Sequence, residues 1–299
     1  MGTMTKYSLG WLPDYPDLRD YTEKTADVVS LLEPTGLVEA APKRGRNRPR
    51  RALPAAVDLR EWCSAVEDQA GLGSCTAHAG VGILEYYERR SFGRHVEASR
   101  LFLYKVTRNL MKLKGDTGAY LRKTMGAMVL FGVPPEEYWP YTDGQKFDRE
   151  PPAFCYAFAE NYKTVKYYRH DPPGVAAEAV LAGVKKYLAA GHPVMFGFTV
   201  YNSIEQAAES GRIPFPAERE KILGGHAVAA VGYDDKLRVR NAHGGRVSAG
   251  ALLVRNSWGG GWGEKGYGWL PYDYVLRGLA EDFWSVLKKE WVDTGQFNI

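Results

Sequence analysis

Along the chain, apolar positions recur first at helical and then at strand spacing. After Ser74, a good N-cap residue, Ala79, Ile83, Leu84 and Tyr87 repeat every three or four places. This predicts a helix that ends near Gly93. Further helices are predicted around 97–112, 119–131 and 176–190. From Pro193 the texture changes: 193–200, 226–233, 250–256 and 266–270 read as strands separated by Gly-rich turns. Helices first and strands later indicate an α+β protein with a helical lobe, about 60–190, and a sheet lobe, about 191–290. No internal repeat is seen.

The first 51 residues read differently. In Gly10–Asp17 the X-Pro steps disfavour helix and predict extended chain. The tract from Lys43 to Arg51 holds six cations in nine residues with Gly and Pro, the pattern of a solvated linker or protease-sensitive hinge. From Ala52 the composition is globular. Of the 299 residues 45% are hydrophobic and 25% charged, and the net charge is +4. That length suits two packed lobes, and so small a charge does not point to a nucleic-acid partner. No run is long and apolar enough for a bilayer, and no secretory signal is visible, so the expectation is a cytoplasmic protein or one exported without such a signal. A monomer is expected. Cys63, Cys75 and Cys155 are too few and too scattered for a disulfide framework or a zinc site, so all three are expected as thiols.

Three segments carry chemistry. Cys75 lies in the first turn of the predicted helix, where the helix dipole favours a thiolate. His226 opens an apolar strand in GGHAVAAVGY. Asn256 begins NSWGGGWGEKGYG, whose glycines permit tight turns and whose tryptophans give apolar cover. Each alone would read as structural: a buried cysteine, a core histidine, a glycine-rich turn.

Together they resemble the papain family of cysteine peptidases. Gln69 stands six residues before Cys75, and His226 and Asn256 follow it by 151 and 181. AAVDLR at 55–60 and GDTGAY at 115–120 extend the resemblance to about residues 54–290. It implies the papain-like two-lobe fold with a cleft between the lobes, and an endopeptidase working through an acyl-enzyme. Cys75 is then the nucleophile, His226 its proton partner and Asn256 the group that orients the ring. Gln69 and the Cys75 N–H form the oxyanion hole, and Trp258 shields the His–Asn bond. Gly118 and Ala119 would hold a polypeptide substrate by strand-like pairing, while Gly197, Ala227 and either Glu281 or Asp282 would form the pocket for the second residue before the cut. Acid at its base would admit a basic residue as well as an apolar one. No cofactor or metal is required.

The departures are Thr76, where the family has Trp or Tyr, and Leu72 and Asp116, where it has a disulfide pair. Residues 1–42 resemble the short N-terminal segments of bacterial family members. Trp11–Tyr21 is expected to cover part of the cleft in cis, as in a zymogen, with the basic tract as the hinge or processing site. Two rivals follow: a transpeptidase or ligase with the same triad, and a catalytically weak binding protein. His78, one turn after Cys75, is expected to face the helical lobe, and His95, His170, His192 and His243 to lie in polar or turn-like surroundings.

Overall fold

The computed structural model describes residues 8–15, 17–38, 52–163, 166–244, 247–294 and 296–297. The basic tract 43–51 lies outside them. In chain order the elements are β1 (Trp11–Leu12), α1 (Ala26–Leu32), β2 (Ala56–Asp58), α2 (Cys75–Phe92), α3 (Arg100–Leu110), β3 (Ala119–Tyr120), α4 (Leu121–Leu130) and α5 (Ala153–Ala159). There follow β4 (Lys166–Arg169), α6 (Ala177–Ala189), β5 (Val194–Tyr201), β6 (Ile222–Arg240), β7 (Val247–Arg255), β8 (Tyr267–Pro271), α7 (Asp273–Leu276), β9 (Ala280–Leu287) and α8 (Lys289–Val292). No helix among the described residues is long and apolar enough to cross a membrane.

The strands from β4 onward form one antiparallel sheet in the order β4-β9-β5-β6-β7-β8, with β2 added along β6. The helical layer is shorter than the sequence suggests. β4 pairs with β9, and α6 packs on β5, β6 and α7, so both belong with the sheet although they precede residue 191.

α2 is the pivot. Every residue from Cys75 to Tyr87 is buried, as in a helix enclosed on all sides. α3 and α4 cover one side of it and β5 and β6 the other. Close approach is achieved at two glycines: a Cβ at Gly80 would meet Met128 of α4, and one at Gly82 would meet Arg255 of β7. The Glu85 carboxylate, wholly buried on α2, accepts from Arg100 Nη2 at 3.0 and 3.1 Å and from Ser64 Oγ at 2.5 Å. A buried charge so paired and bonded ties α2 to α3 and to the segment before α2, and loss of one partner would leave the other uncompensated. α2 ends as expected, with Gly93 in the left-handed region as C-cap.

Candidate active site

Cys75 and His226 come from facing elements. The cysteine is the first residue of α2, and His226 sits on β6 where that strand runs against the helix. Ser74 does not cap the helix with its side chain; its hydroxyl instead meets Tyr141 Oη at 2.6 Å and His78 Nδ1 at 3.3 Å. The backbone N–H of Ala227 donates to Cys75 Sγ at 3.4 Å.

The histidine tautomer follows from its partner. Asn256 Oδ1 accepts from the Ser257 N–H at 2.8 Å, which turns its oxygen toward the ring, and it accepts from His226 Nε2 at 2.7 Å. The ring proton is therefore on Nε2, and Nδ1 keeps its lone pair, with no hydrogen-bond partner among the described residues. Trp258 stacks on the ring with centroids 4.5 Å apart, and Trp262 stands edge-on to Trp258 at 5.1 Å. Gln69 is held just as firmly. Its Oε1 accepts from Ser257 Oγ at 2.5 Å, and its Nε2 donates to Leu72 O at 2.7 Å.

The loop before Cys75 lacks the disulfide, yet it is braced. The Asp116 carboxylate accepts from the Gly73 N–H at 2.9 and 3.1 Å and from Tyr104 Oη at 2.5 Å. Asp116 thus ties the two positions' neighbourhoods together through hydrogen bonds. The three cysteines are free thiols, all buried. Thr76 is buried, and its hydroxyl has no hydrogen-bond partner among the described residues.

The N-terminal chain lies across this centre. Gln69 Nε2 also donates to Ser8 O at 3.0 Å, the Gly10 N–H donates to Gly225 O at 3.1 Å, and the Ala119 N–H donates to Gly10 O at 2.8 Å. β1 then pairs with β3 in parallel, Trp11 beside Ala119. Gly118, at φ +72°, approaches Gly10 O so closely that a Cβ would sit 2.3 Å away. The Trp11 indole fills a pocket whose wall is Gly197; a Cβ there would meet the ring at 1.9 Å. Trp11 is 4% exposed, and its Nε1–H donates to Asp282 Oδ2 at 3.3 Å.

Of the two acids expected at the pocket base, Asp282 meets the indole, while Glu281 stands opposite Gly197 on β9. Glu281 is exposed, whereas Asp282 is fully buried. A bulge in β9 causes this: Gly197 faces Glu281 but Met195 faces Trp284, so β9 carries one extra residue, with Asp282 at φ +60°. Asp282 also accepts the Asp14 N–H at 2.8 Å and pairs with Arg169 at 2.8 Å. Its charge is thus matched by Arg169 in the covered state.

Burial sets the protonation of the pair. With both side chains covered, desolvation raises the Cys75 thiol to about 11, against the lowering effect of the Ala227 and Gly10 N–H groups. Desolvation also lowers His226 to about 4, opposed by the Asn256 bond. The covered site therefore holds a neutral thiol and a neutral imidazole at pH 7.

The other histidines separate. His78 is buried against Tyr141, as its helix position suggests. His95 meets Glu97 at 3.2 Å, and His243 meets Glu220 at 3.4 Å. His170 and His192 correct the expectation: both lie in an aromatic cluster with Tyr87, Tyr168, Tyr187 and Phe297, and desolvation holds each at about 3. Sequence reasoning also missed Ser257, which orients Gln69 and stands beside Asn256 in the same word, and Asp116, for which the sequence gives no signal beyond the absent cysteine.

Comparison with known proteins agrees with this geometry. The family described as papain family cysteine protease matches residues 53–282. An uncharacterised peptidase C1-like protein of Acanthamoeba polyphaga mimivirus is 35% identical over 294 residues, 93% of this chain and 86% of that protein. Papain of Carica papaya is 26% identical over 218 residues, 72% of this chain and 54% of papain. Xylellain, a cysteine protease from Xylella fastidiosa, superposes with a TM-score of 0.73 at 32% identity, covering 96% of this chain and 98% of that one. With family match, fold and site order in agreement, the chain belongs to the papain family of cysteine proteases and is a thiol protease with the papain-like fold.

Proposed function

We propose that this protease cleaves internal peptide bonds with Cys75 as nucleophile and His226 as acid–base, and that its own residues 8–14 hold it inactive in the conformation described. The supporting observation for the chemistry is the His226 Nε2–Asn256 Oδ1 bond of 2.7 Å, which leaves Nδ1 as the basic nitrogen. Nδ1 takes the thiol proton, and the thiolate attacks the substrate carbonyl. His226 then protonates the leaving amine, and water, with His226 as base, resolves the acyl-enzyme. Gln69 Nε2, now on Ser8 O, is the donor for the oxyanion. A cavity of about 500 Å³, lined among the described residues by Asp68, Ala70, Trp258 and Gly259–Trp262, gives room for the leaving-group side of a polypeptide.

Self-inhibition rests on what the segment displaces. A carbonyl occupies the oxyanion donor and an indole occupies the pocket. Removal of the cover restores water, so the thiol falls and the imidazole rises toward the charged pair. Labelling full-length protein with an epoxide inactivator, before and after release of the segment, tests this. Selective labelling of Cys75 that grows on release and vanishes in His226→Ala is expected; a Cys75 in the folded, uncovered protein that never reacts would overturn it.

A further inference from the structure

The N-terminal region is two devices joined by a turn. Residues 8–14 occupy the cleft as described, and the anchors before the turn are the Asp14 carboxylate, which meets Arg122 Nη1 at 2.9 Å, and Tyr15 O, which accepts from Arg122 Nη2 at 2.8 Å. Residues 20–38 hold the outside of the sheet lobe. Asp20 accepts from Arg122 Nε and Nη2, each at 2.7 Å. The Arg169 N–H donates to Tyr21 O at 2.7 Å, and Thr22 makes a parallel bridge with Arg169. Asp27 pairs with Lys166 at 2.9 Å, and Lys186 Nζ donates to Leu37 O. Val28, Leu32 and Leu37 are each 0% exposed, so this stretch is part of the core.

Between the two lies the turn Asp17–Asp20, closed by Asp20 N–H to Asp17 O at 3.0 Å. Its tip carries Leu18, 96% exposed, and Arg19, whose side chain is 90% exposed. A wholly exposed leucine beside an exposed arginine side chain, at the tip of a turn anchored through Tyr15 O on one side and Asp20 on the other, is where a protease reaches the chain first.

We infer that the activating modification is hydrolysis of the chain in the Asp17–Asp20 turn, at Leu18 or Arg19, and that residues 20–38 stay as a permanent strap of the sheet lobe. This rests on the self-inhibition proposed above and names its release site. A cut there adds one water across one peptide bond and converts the plug from a tethered segment into a free peptide. A tether supplies an effective concentration in the millimolar range. At micromolar protein its loss favours departure of the plug. A cut in the basic tract leaves the plug continuous with the strap, which is still held by its buried apolar residues.

The test uses the full chain with a short recognition sequence for a highly specific viral protease, inserted either between Leu18 and Arg19 or between Arg48 and Pro49. After cutting, gel filtration and mass spectrometry identify which fragment stays bound, and the rate of Cys75 labelling is measured. Expected for the first cut is loss of the fragment ending at Leu18 and a labelling rate raised on the order of a hundredfold, from the lost tether. Expected for the second is retention of the fragment ending at Arg48, with labelling as in uncut protein. A rise after the second cut, with loss of its fragment, overturns the inference, as does an unchanged rate after the first cut alone. If neither cut raises labelling and the first fragment still departs, the fault is in the self-inhibition reading, since the cleft is then open without effect.

Discussion

Replacing Trp11 by Ala empties the pocket without touching Gln69, Cys75, His226 or Asn256. The indole is 4% exposed in the covered state and returns to water when the segment lifts, so its removal weakens the covered state selectively. Truncating a buried Trp costs about 3–5 kcal/mol where the site cannot collapse. Gly197 on strand β5 forms the pocket wall, and a paired strand has little freedom to close the gap. Taking about 3 kcal/mol, at 1.4 kcal/mol per factor of ten, the uncovered population rises roughly a hundredfold. The assay is the second-order rate of Cys75 labelling by an epoxide inactivator, with mass spectrometry to confirm the site and thermal unfolding to confirm the fold. Trp11→Phe keeps most of the apolar contact and loses only the Nε1–H donated to Asp282 at 3.3 Å, so a few-fold rise is expected. Equal rates for wild type, Trp11→Phe and Trp11→Ala, in folded proteins, would refute the idea that this indole holds the cleft shut.

Other outcomes follow from the same geometry. In the uncovered enzyme, Gln69→Ala is expected to lower kcat/KM by about 10²–10³ for loss of one oxyanion donor, measured on a peptide substrate. Asp116→Ala removes acceptors from the Gly73 N–H and Tyr104 Oη and should cost about 1–3 kcal/mol in denaturant unfolding, with slower Cys75 labelling. His170 and His192 are held at about 3 when folded against 6.5 unfolded, so the stability they confer is present above pH 6.5 and is lost as pH falls toward 3. Each accounts for about 2 kcal/mol between pH 6.5 and 5, and His192→Phe should flatten that part of the unfolding profile. Asp282→Ala leaves Arg169 without its buried partner beside the pocket, so turnover of Arg peptides should fall relative to Phe peptides, read on a matched substrate pair.

The sequence was most legible where a single pattern decides. α2 runs from Cys75 to Phe92, and its end at Gly93 was readable because only one residue type sits easily in that conformation. The catalytic candidates were legible as words, since Gln69, Cys75, His226 and Asn256 are each embedded in specific neighbours. β4 and β9 were missed for a physical reason. Lys166–Arg169 is four residues long, and in β9 a bulge breaks the alternation that would have marked the strand. The same bulge buries Asp282 and leaves Glu281 exposed, a difference that sequence does not show. α1 has seven residues, too few to show a period. His170 looked polar between Arg169 and Asp171, and His192 turn-like between Gly191 and Pro193; their neighbours in space are aromatic rings.

The Asp116 brace has a consequence for the redox life of the enzyme. A nucleophilic thiol has to be kept reduced, and a loop fastened by a disulfide beside it would be loosened by the same reductant. Here the fastening is a carboxylate on a backbone N–H and a tyrosine hydroxyl, none of which exchanges electrons. A thiol reductant that returns a Cys75 disulfide or sulfenic acid to the thiol therefore leaves the chain that positions it fastened, and the upkeep of the proposed nucleophile is separated from the upkeep of its support.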